Sequence, residues 1–425
     1  MRDYFGRSYA QEMDKNDKLY EYRKRFYLKD NEYYMDGNSC GLCSKDAEET
    51  LERVLGEWKK YGIDCWTKPE HQLFLYQDYL GELMAPIINA KPSEVTIHSS
   101  TTINIHTAIG TFYKPTKEKF KILVDDINFP TDRYAVDSQI RLKGLNPEEC
   151  VKVVESREGK MIFEEDFIEA MTEDVAIVFL PSVLYRSGQL VEMEKITKVA
   201  EERGIIVGWD LCHSVGVIPH DFNALQPDFA VFCTYKYLNG GPGSPAGLYI
   251  NEKHFNKEPG LAGWHGNKKE TQFDLKNTFE SANNAGGWQT GTKHVLSMAP
   301  LEGSLKMINE MGVGKLREKS LMLTKYMMDL VDEKLVKYSF EIGNPREDEI
   351  RGGHVALEHE EAMRINEALK DNKVIPDFRF PNVIRLAPVP LYVSYEDVYD
   401  VIEIIEKIMI NKEYEKYSKK RGIVA

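Results

Sequence analysis

The middle of the chain alternates short, mainly apolar runs with amphipathic stretches. The runs are "FKILVDD" (120–126), "VKVV" (151–154), "VAIVFLP" (175–181), "GIIVGWD" (204–210) and "DFAVFCTY" (228–235). Near-continuous apolar strands need cover on both faces. Segments such as "VEMEKITKVAEERG" (191–204) carry a helical stripe that can supply it. The pattern predicts an α/β chain with a mostly parallel sheet, which places ligands beyond the carboxyl ends of its strands. Two of the runs end in polar chemistry, Asp210 in "VGWD" and Lys236 just after "VFCTY".

The 425 residues exceed one small core. Near residue 295 the pattern changes to two helical stretches, the short strands "GGHVALEH" (352–359) and "NVIRLAPV" (382–389), and a helix from about Tyr395. We expect an arm over residues 1–43, a large domain over 44–295 and a smaller α+β domain over 296–425. The arm is too short to fold alone and is expected to pack across the other two.

Charge narrows the partners. A formal net charge of −13 argues against nucleic acid and anionic membranes, which need a basic footprint. The charged, aromatic start "MRDYFGRSYAQEMDKNDKLY" lacks the apolar region of a signal peptide, and no run reaches membrane-span length. A cytoplasmic protein is expected. The six cysteines are scattered, unlike a secreted disulfide framework. Only Cys40 and Cys43 in "CGLC" have motif-like spacing; they read as a glycine turn or a redox pair. No metal site is expected.

In "TYKYLNGGPGSPAG" (234–247), Lys236 stands between two tyrosines and precedes several glycines. A buried lysine loses its charge more easily, and a neutral amine can form a Schiff base with a carbonyl. The glycines permit tight backbone beside a bulky group, but the lysine precedes them, so this is not a Walker A loop. Alone, Lys236 reads first as a surface lysine before a flexible turn. Asp210 gives it a context. A carboxylate there could keep a pyridine nitrogen protonated, and lysine plus aspartate is the pattern that PLP requires. Otherwise Asp210 caps a helix starting in "WDLCHSVG".

"HSSTTINIHTAIG" (98–110) follows a strand-like "EVTI" and opens a helix with four hydroxyl residues, Ser99 to Thr102. Hydroxyls, free backbone N–H groups and the helix dipole suit an anion there. "NFPTDRYAVDSQ" (128–139) offers Phe129 as a flat face for a planar ring, or as a core residue. Arg385, inside the apolar "NVIRLAPVPLY", needs an anionic partner, either a substrate carboxylate or a structural carboxylate. No GxGxxG follows an early strand, which removes a dinucleotide oxidoreductase.

Taken together, "MDGNSCGL", "NFPTDRY", "WDLCHSVG", "YKYLNGGPG", "LAGWHGN" and "RLAPVPLY" resemble kynureninase, of the class V group of fold-type I PLP enzymes. The resemblance runs from residue 35 to residue 392. It implies a mainly parallel seven-stranded type of sheet, PLP as cofactor and a homodimer with sites at the subunit interface. It implies hydrolysis of L-kynurenine or 3-hydroxy-L-kynurenine to an anthranilate and L-alanine. A kynureninase-like β-lyase or class V aminotransferase is the alternative.

Residue by residue, Lys236 matches the Schiff-base lysine and Asp210 the pyridinium partner, with His213 beside it. Thr101 and Thr102 match phosphate contacts, and Phe129 the stacking ring. Tyr235 matches a tyrosine that contacts phosphate and relays a proton. Arg385 matches the arginine that grips the substrate α-carboxylate, with Ser39 among the substrate-binding positions. Trp264 and Thr292 match cofactor contacts donated by the neighbouring subunit. His265 and Asn267 stand where the family usually carries phenylalanine and histidine, bordering the pocket for the substrate ring.

Overall fold

The computed structural model describes residues 4–420. Its centre is a seven-stranded sheet. In chain order the strands are β1 (Val95–Ile97), β2 (Lys121–Asp125), β3 (Val151–Val154), β4 (Val175–Pro181), β5 (Ile206–Asp210), β6 (Phe229–Phe232) and β7 (Gly247–Ile250). Across the sheet they lie β1-β7-β6-β5-β4-β2-β3. The pairs from β6 to β3 are parallel, and β7 runs against both of its neighbours.

Strands β4 to β7 are mainly apolar because both faces are covered. Ile177, Phe179, Phe229, Val231 and Leu248 belong to one buried cluster. Val178, Leu180, Ala230, Phe232 and Tyr249, which alternate with them, belong to the other. Period-two alternation thus sends apolar residues into two cores.

Strand β7 was absent from the sequence reading, because its four residues follow a run of glycine and proline that reads as loop. Gly247 opens it for a packing reason. A Cβ there would lie 1.9 Å from the Phe232 ring on β6. Strand β6 ends at Phe232, earlier than the apolar run suggested, so Lys236 stands in the turn beyond it.

Helix α1 (Arg7–Asn16) belongs to the N-terminal segment, and α2 (Lys45–Tyr61), α3 (Thr101–Phe112) and α4 (Pro130–Leu142) to the part around the sheet. They are followed by α5 (Val295–Met311), a helix over Val313–Lys334 and, near the end, α6 (Tyr395–Ile410). A second sheet contains β8 (Glu341–Ile342), β9 (Val355–Glu358), β10 (Asp377–Arg379) and β11 (Val383–Leu386), in the antiparallel order β10-β11-β9-β8.

The first forty residues are stitched to both parts. The buried Asp14 carboxylate accepts hydrogen bonds from the N–H groups of Tyr395 (2.8 Å) and Glu396 (3.0 Å), which fixes α1 to the start of α6. Tyr33 and Tyr34 pair in parallel with Val374 and Ile375. Further on, the Gly41 N–H donates to the Tyr235 carbonyl at 2.7 Å. A side chain at Gly41 would collide with the Lys236 carbonyl, 2.4 Å from its Cβ position. The glycine of "CGLC" is therefore explained by close backbone approach. Cys40 and Cys43 are both free thiols, Cys43 exposed.

Candidate active site

A cavity of about 300 Å³ lies beyond the carboxyl ends of the parallel strands. Its floor is the turn after β5 and the turn after β6. Asp210, the last residue of β5, is buried and accepts the Cys212 N–H at 2.7 Å. Beyond it the Leu211 carbonyl accepts the N–H groups of Ser214 and Val215 and residues 212–217 form a turn, so the alternative of a helix starting there does not hold. Lys236 extends from the second turn, with Nζ 2.9 Å from His213 Nε2.

The electrostatics follow from burial. His213 is pushed well below the usual imidazole range by desolvation and by the Lys236 charge. It is therefore neutral, and its Nε2 accepts from the Lys236 amine. Asp210 is raised by burial, while the Cys212 donor and Lys236 oppose the rise. Asp132, from the first turn of α4, is raised further, by burial and by the Asp210 charge. Burial thus makes both members of this carboxyl pair easier to protonate than free carboxylates, and Asp210 is the member that lines the cavity. Burial also raises the Tyr235 phenol, which keeps it a donor.

One end of the cavity is built for an anion. Ser100 caps α3, its Oγ accepting the Ile103 N–H, and Thr101 and Thr102 occupy the first turn. Ser99 just before them adopts a left-handed backbone, φ 51°. Such strain in a non-glycine residue is characteristic of ligand clamps. The Thr102 and Thr131 hydroxyls meet at 2.8 Å. Phe129 is 44% exposed at the cavity wall, edge-to-face with Tyr185.

The opposite end is built by the arm and the second sheet. Ser39 lines it, and the fully buried Arg385 donates from Nη2 to Ser39 Oγ at 3.1 Å. Arg385 Nη1 donates to the Tyr185 carbonyl at 2.8 Å, and Nε to Asp377 at 2.5 Å. Asp377 is its cross-strand neighbour on β10. The structural partner expected as one alternative is thus present, and it fixes the guanidinium beside the cavity. Arg379 also lines the cavity and donates to Asp377 at 3.0 Å.

Eight residues singled out from sequence meet here: Ser39, Thr101, Thr102, Phe129, Asp210, His213, Tyr235 and Lys236. Arg385 stands directly behind them. Trp264, Thr292, His265 and Asn267 do not line this cavity. Thr292 lies on a separate groove, and Asn267 Oδ1 accepts the Glu280 N–H at 2.8 Å.

Sequence reasoning missed Asn38, Asp132, Tyr185 and Arg379. Asn38 is fully buried, lines the cavity, and has no protein partner for either amide atom. Asn38 and Asp132 sat inside quoted motifs and could have been found there. Tyr185 and Arg379 carried no local signal.

The donor set fits PLP. Hydroxyls and a helix start suit a phosphate, Asp210 suits a pyridinium, and Lys236 in the same cavity offers an amine for an aldehyde. The unpartnered Asn38 amide adds hydrogen-bonding capacity that the protein does not use.

Kynureninases from Bacillus mycoides and Geobacillus thermodenitrificans are 54% and 51% identical to the chain. Each alignment spans 417 residues, 98% of this chain and 97% of the relative. The chain belongs to the kynureninase family.

Residues 316–405 match the kynureninase C-terminal domain. The expectation of a PLP-dependent hydrolase acting at a carbon–carbon bond stands with these relatives. The fold is shared more widely. A cysteine desulfurase from Thermococcus onnurineus superposes with a TM-score of 0.78 at 19% identity, covering 92% of this chain and 98% of its own. A C-DES variant with glycine covalently linked to its PLP cofactor gives 0.78 at 16% identity, covering 90% and 99%. These solved structures share the fold-type I architecture expected from sequence.

Among the described residues no helix is long and apolar enough to cross a membrane, and no acidic, histidine or cysteine cluster could hold a metal ion.

Proposed function

We propose that the chain hydrolyses L-kynurenine or 3-hydroxy-L-kynurenine, with PLP held in the cavity between Thr101 and Asp210. The observation that carries this reading is the convergence of Lys236, Asp210 and the hydroxyl-rich start of α3 on one cavity. When bound, PLP supplies an electron sink for the carbon next to the substrate amine.

The chain's own groups do the rest. Arg385 receives the substrate α-carboxylate on its Ser39 side, while Asp377 and the Tyr185 carbonyl hold the guanidinium in place. Lys236 Nζ, hydrogen-bonded to the neutral His213, takes the α-proton. Asp210, at the end of β5, would be the carboxylate partner of the ring nitrogen. Phe129 supplies the stacking face. Water adds to the γ-carbonyl, the β–γ bond breaks, and the Tyr235 phenol is the acid for the later proton steps.

The reading includes a homodimer whose Trp264 and Thr292 serve the neighbour's cavity, with His265 and Asn267 towards the substrate ring. It also includes the division into an arm (1–43), a large domain (44–295) and a small domain (296–425). Cytoplasmic location and a role in tryptophan catabolism and NAD biosynthesis belong to the same reading. Support comes from the matched motif positions and from the four residues' place outside the chain's own cavity.

The test is incubation of purified protein with PLP and each kynurenine, following anthranilate fluorescence and alanine. Native protein should turn over at least one of them. Lys236→Ala should lower the rate by about four orders of magnitude and abolish the visible absorption that PLP bound through Lys236 gives. No product from either kynurenine would sink the assignment.

A further inference from the structure

Two free thiols stand at the floor of the main cavity, and the proposed chemistry uses neither. Strands β5 and β6 pair in parallel with Asp210 opposite Val231. The Leu211 N–H continues the ladder to the Val231 carbonyl at 2.9 Å, and the same register sets Cys212 opposite Cys233. Neighbouring strands lie about 4.7–4.9 Å apart, inside the span of about 4.4–6.8 Å between Cα atoms that a disulfide bridges. The side chains lean together. Cys212 Sγ accepts the Cys233 N–H at 3.2 Å, and the two thiols hydrogen-bond each other.

Access differs between them. Cys212 lines the cavity and is 8% exposed, whereas Cys233 lies behind it at 1%. Burial works to raise the Cys233 thiol, but its bond with Cys212 and the Lys236 charge carry it below the usual thiol range. That same bond, with burial, raises Cys212 well above the range. Cys212 is thus the thiol that a small oxidant meets, with Cys233 beside it as base and second nucleophile. Both are attached to groups of the site. The Cys212 N–H donates to Asp210 at 2.7 Å, and the Tyr235 phenol hydrogen-bonds the Cys233 thiol. A covalent link between the sulfurs would draw on both attachments.

We propose that Cys212 and Cys233 form a disulfide when hydrogen peroxide enters the cavity, and that its closure weakens the hold on PLP. Cys212 Sγ attacks one peroxide oxygen as its proton passes to Cys233. The O–O bond breaks, a sulfenic acid forms on Cys212, and the other oxygen leaves as hydroxide. Cys233 Sγ then attacks Cys212 Sγ. The S–S bond forms, the S–O bond breaks, and the second oxygen leaves as water with the Cys233 proton. Two electrons pass from the thiols to the peroxide. The disulfide does not rest on the proposed function, whereas its effect on PLP rests on the roles given there to Lys236 and Asp210.

Mass spectrometry of the full chain after peroxide treatment tests the site. No lysine or arginine lies between the two cysteines, so one tryptic peptide, residues 204–236, holds both. In native protein this peptide should lose the mass of two hydrogens and resist alkylation, and dithiothreitol should reverse both changes. Prior loading with PLP should slow the loss severalfold. Cys233→Ala should stop at a sulfenic acid on Cys212, trapped by dimedone, and Cys212→Ala should leave Cys233 reduced. The visible absorption of bound PLP should fall severalfold on oxidation and return with dithiothreitol.

A peptide still fully alkylated after peroxide would overturn the site, and so would a link from either cysteine to Cys40. Both results are read on native protein and need no variant to fold. Equal rates with and without PLP would overturn entry through the cavity. A disulfide with unchanged PLP absorption would overturn the effect on the cofactor. Reduced protein that takes up PLP without a Lys236-dependent band would instead remove the proposed function and leave the mass result standing.

Discussion

At the scale of single residues, buried charge decides most of the behaviour. Arg385 is fully buried and leans on Asp377, so removing the acid strands a cation. Asp377→Ala should destabilise the fold by about 3–5 kcal/mol and raise KM more than it lowers kcat. Urea denaturation and steady-state kinetics measure the two effects.

Lys293 carries the opposite kind of cost. Its folded pKa of about 7 lies below the ordinary lysine value of 10.5, so the folded chain binds fewer protons than the unfolded chain between them. Its contribution therefore makes stability rise with pH through that window, and its penalty is complete below about pH 7. Lys293→Met should raise Tm at pH 6, with a gain that fades by pH 10. Thermal melts across that range check it.

Much at this scale was legible. Lys236 and Asp210 each end a run of apolar residues, and a polar group there is conspicuous. Arg379 was not legible, because an arginine in "DFRFP" looks like any exposed arginine until the strand pairing places it beside Asp377.

At the scale of elements, strands buried on both faces announced themselves by composition. Strand β7 did not, since one of its four residues is a glycine and the segment before it is rich in turn formers. The reason for that glycine is a ring on the adjacent strand. Gly247→Ala should cost about 1–3 kcal/mol through overpacking against Phe232. An unchanged denaturation midpoint would contradict the close approach. The start of α3 was readable as an anion site from its hydroxyls, whereas the left-handed Ser99 that shapes its entry was not. Backbone strain leaves no mark in residue type unless the residue is glycine.

At the scale of the whole molecule, the cavity is assembled from segments more than three hundred residues apart, Ser39 and Arg385 among them. Sequence motifs could nominate each piece, but only the fold shows which pieces share one chain's cavity. If Trp264 serves a neighbour, two inactive variants should rescue each other. Lys236→Ala and Trp264→Ala, mixed one to one and reassembled, should form heterodimers with one intact site each. Random pairing predicts about a quarter of native activity. Activity no higher than that of the separate variants would deny the shared site.

The arm's route from the second sheet to the Lys236 turn also bears on biogenesis. Residues 33–41 emerge early in synthesis, but Tyr33 and Tyr34 pair with residues 374–375 and Ser39 waits for Arg385. Until residue 385 has left the ribosome, the carboxylate end of the cavity has only one of its two walls. The large sheet can fold during synthesis, so a nascent chain would hold Lys236 and Asp210 in place long before it could select a substrate.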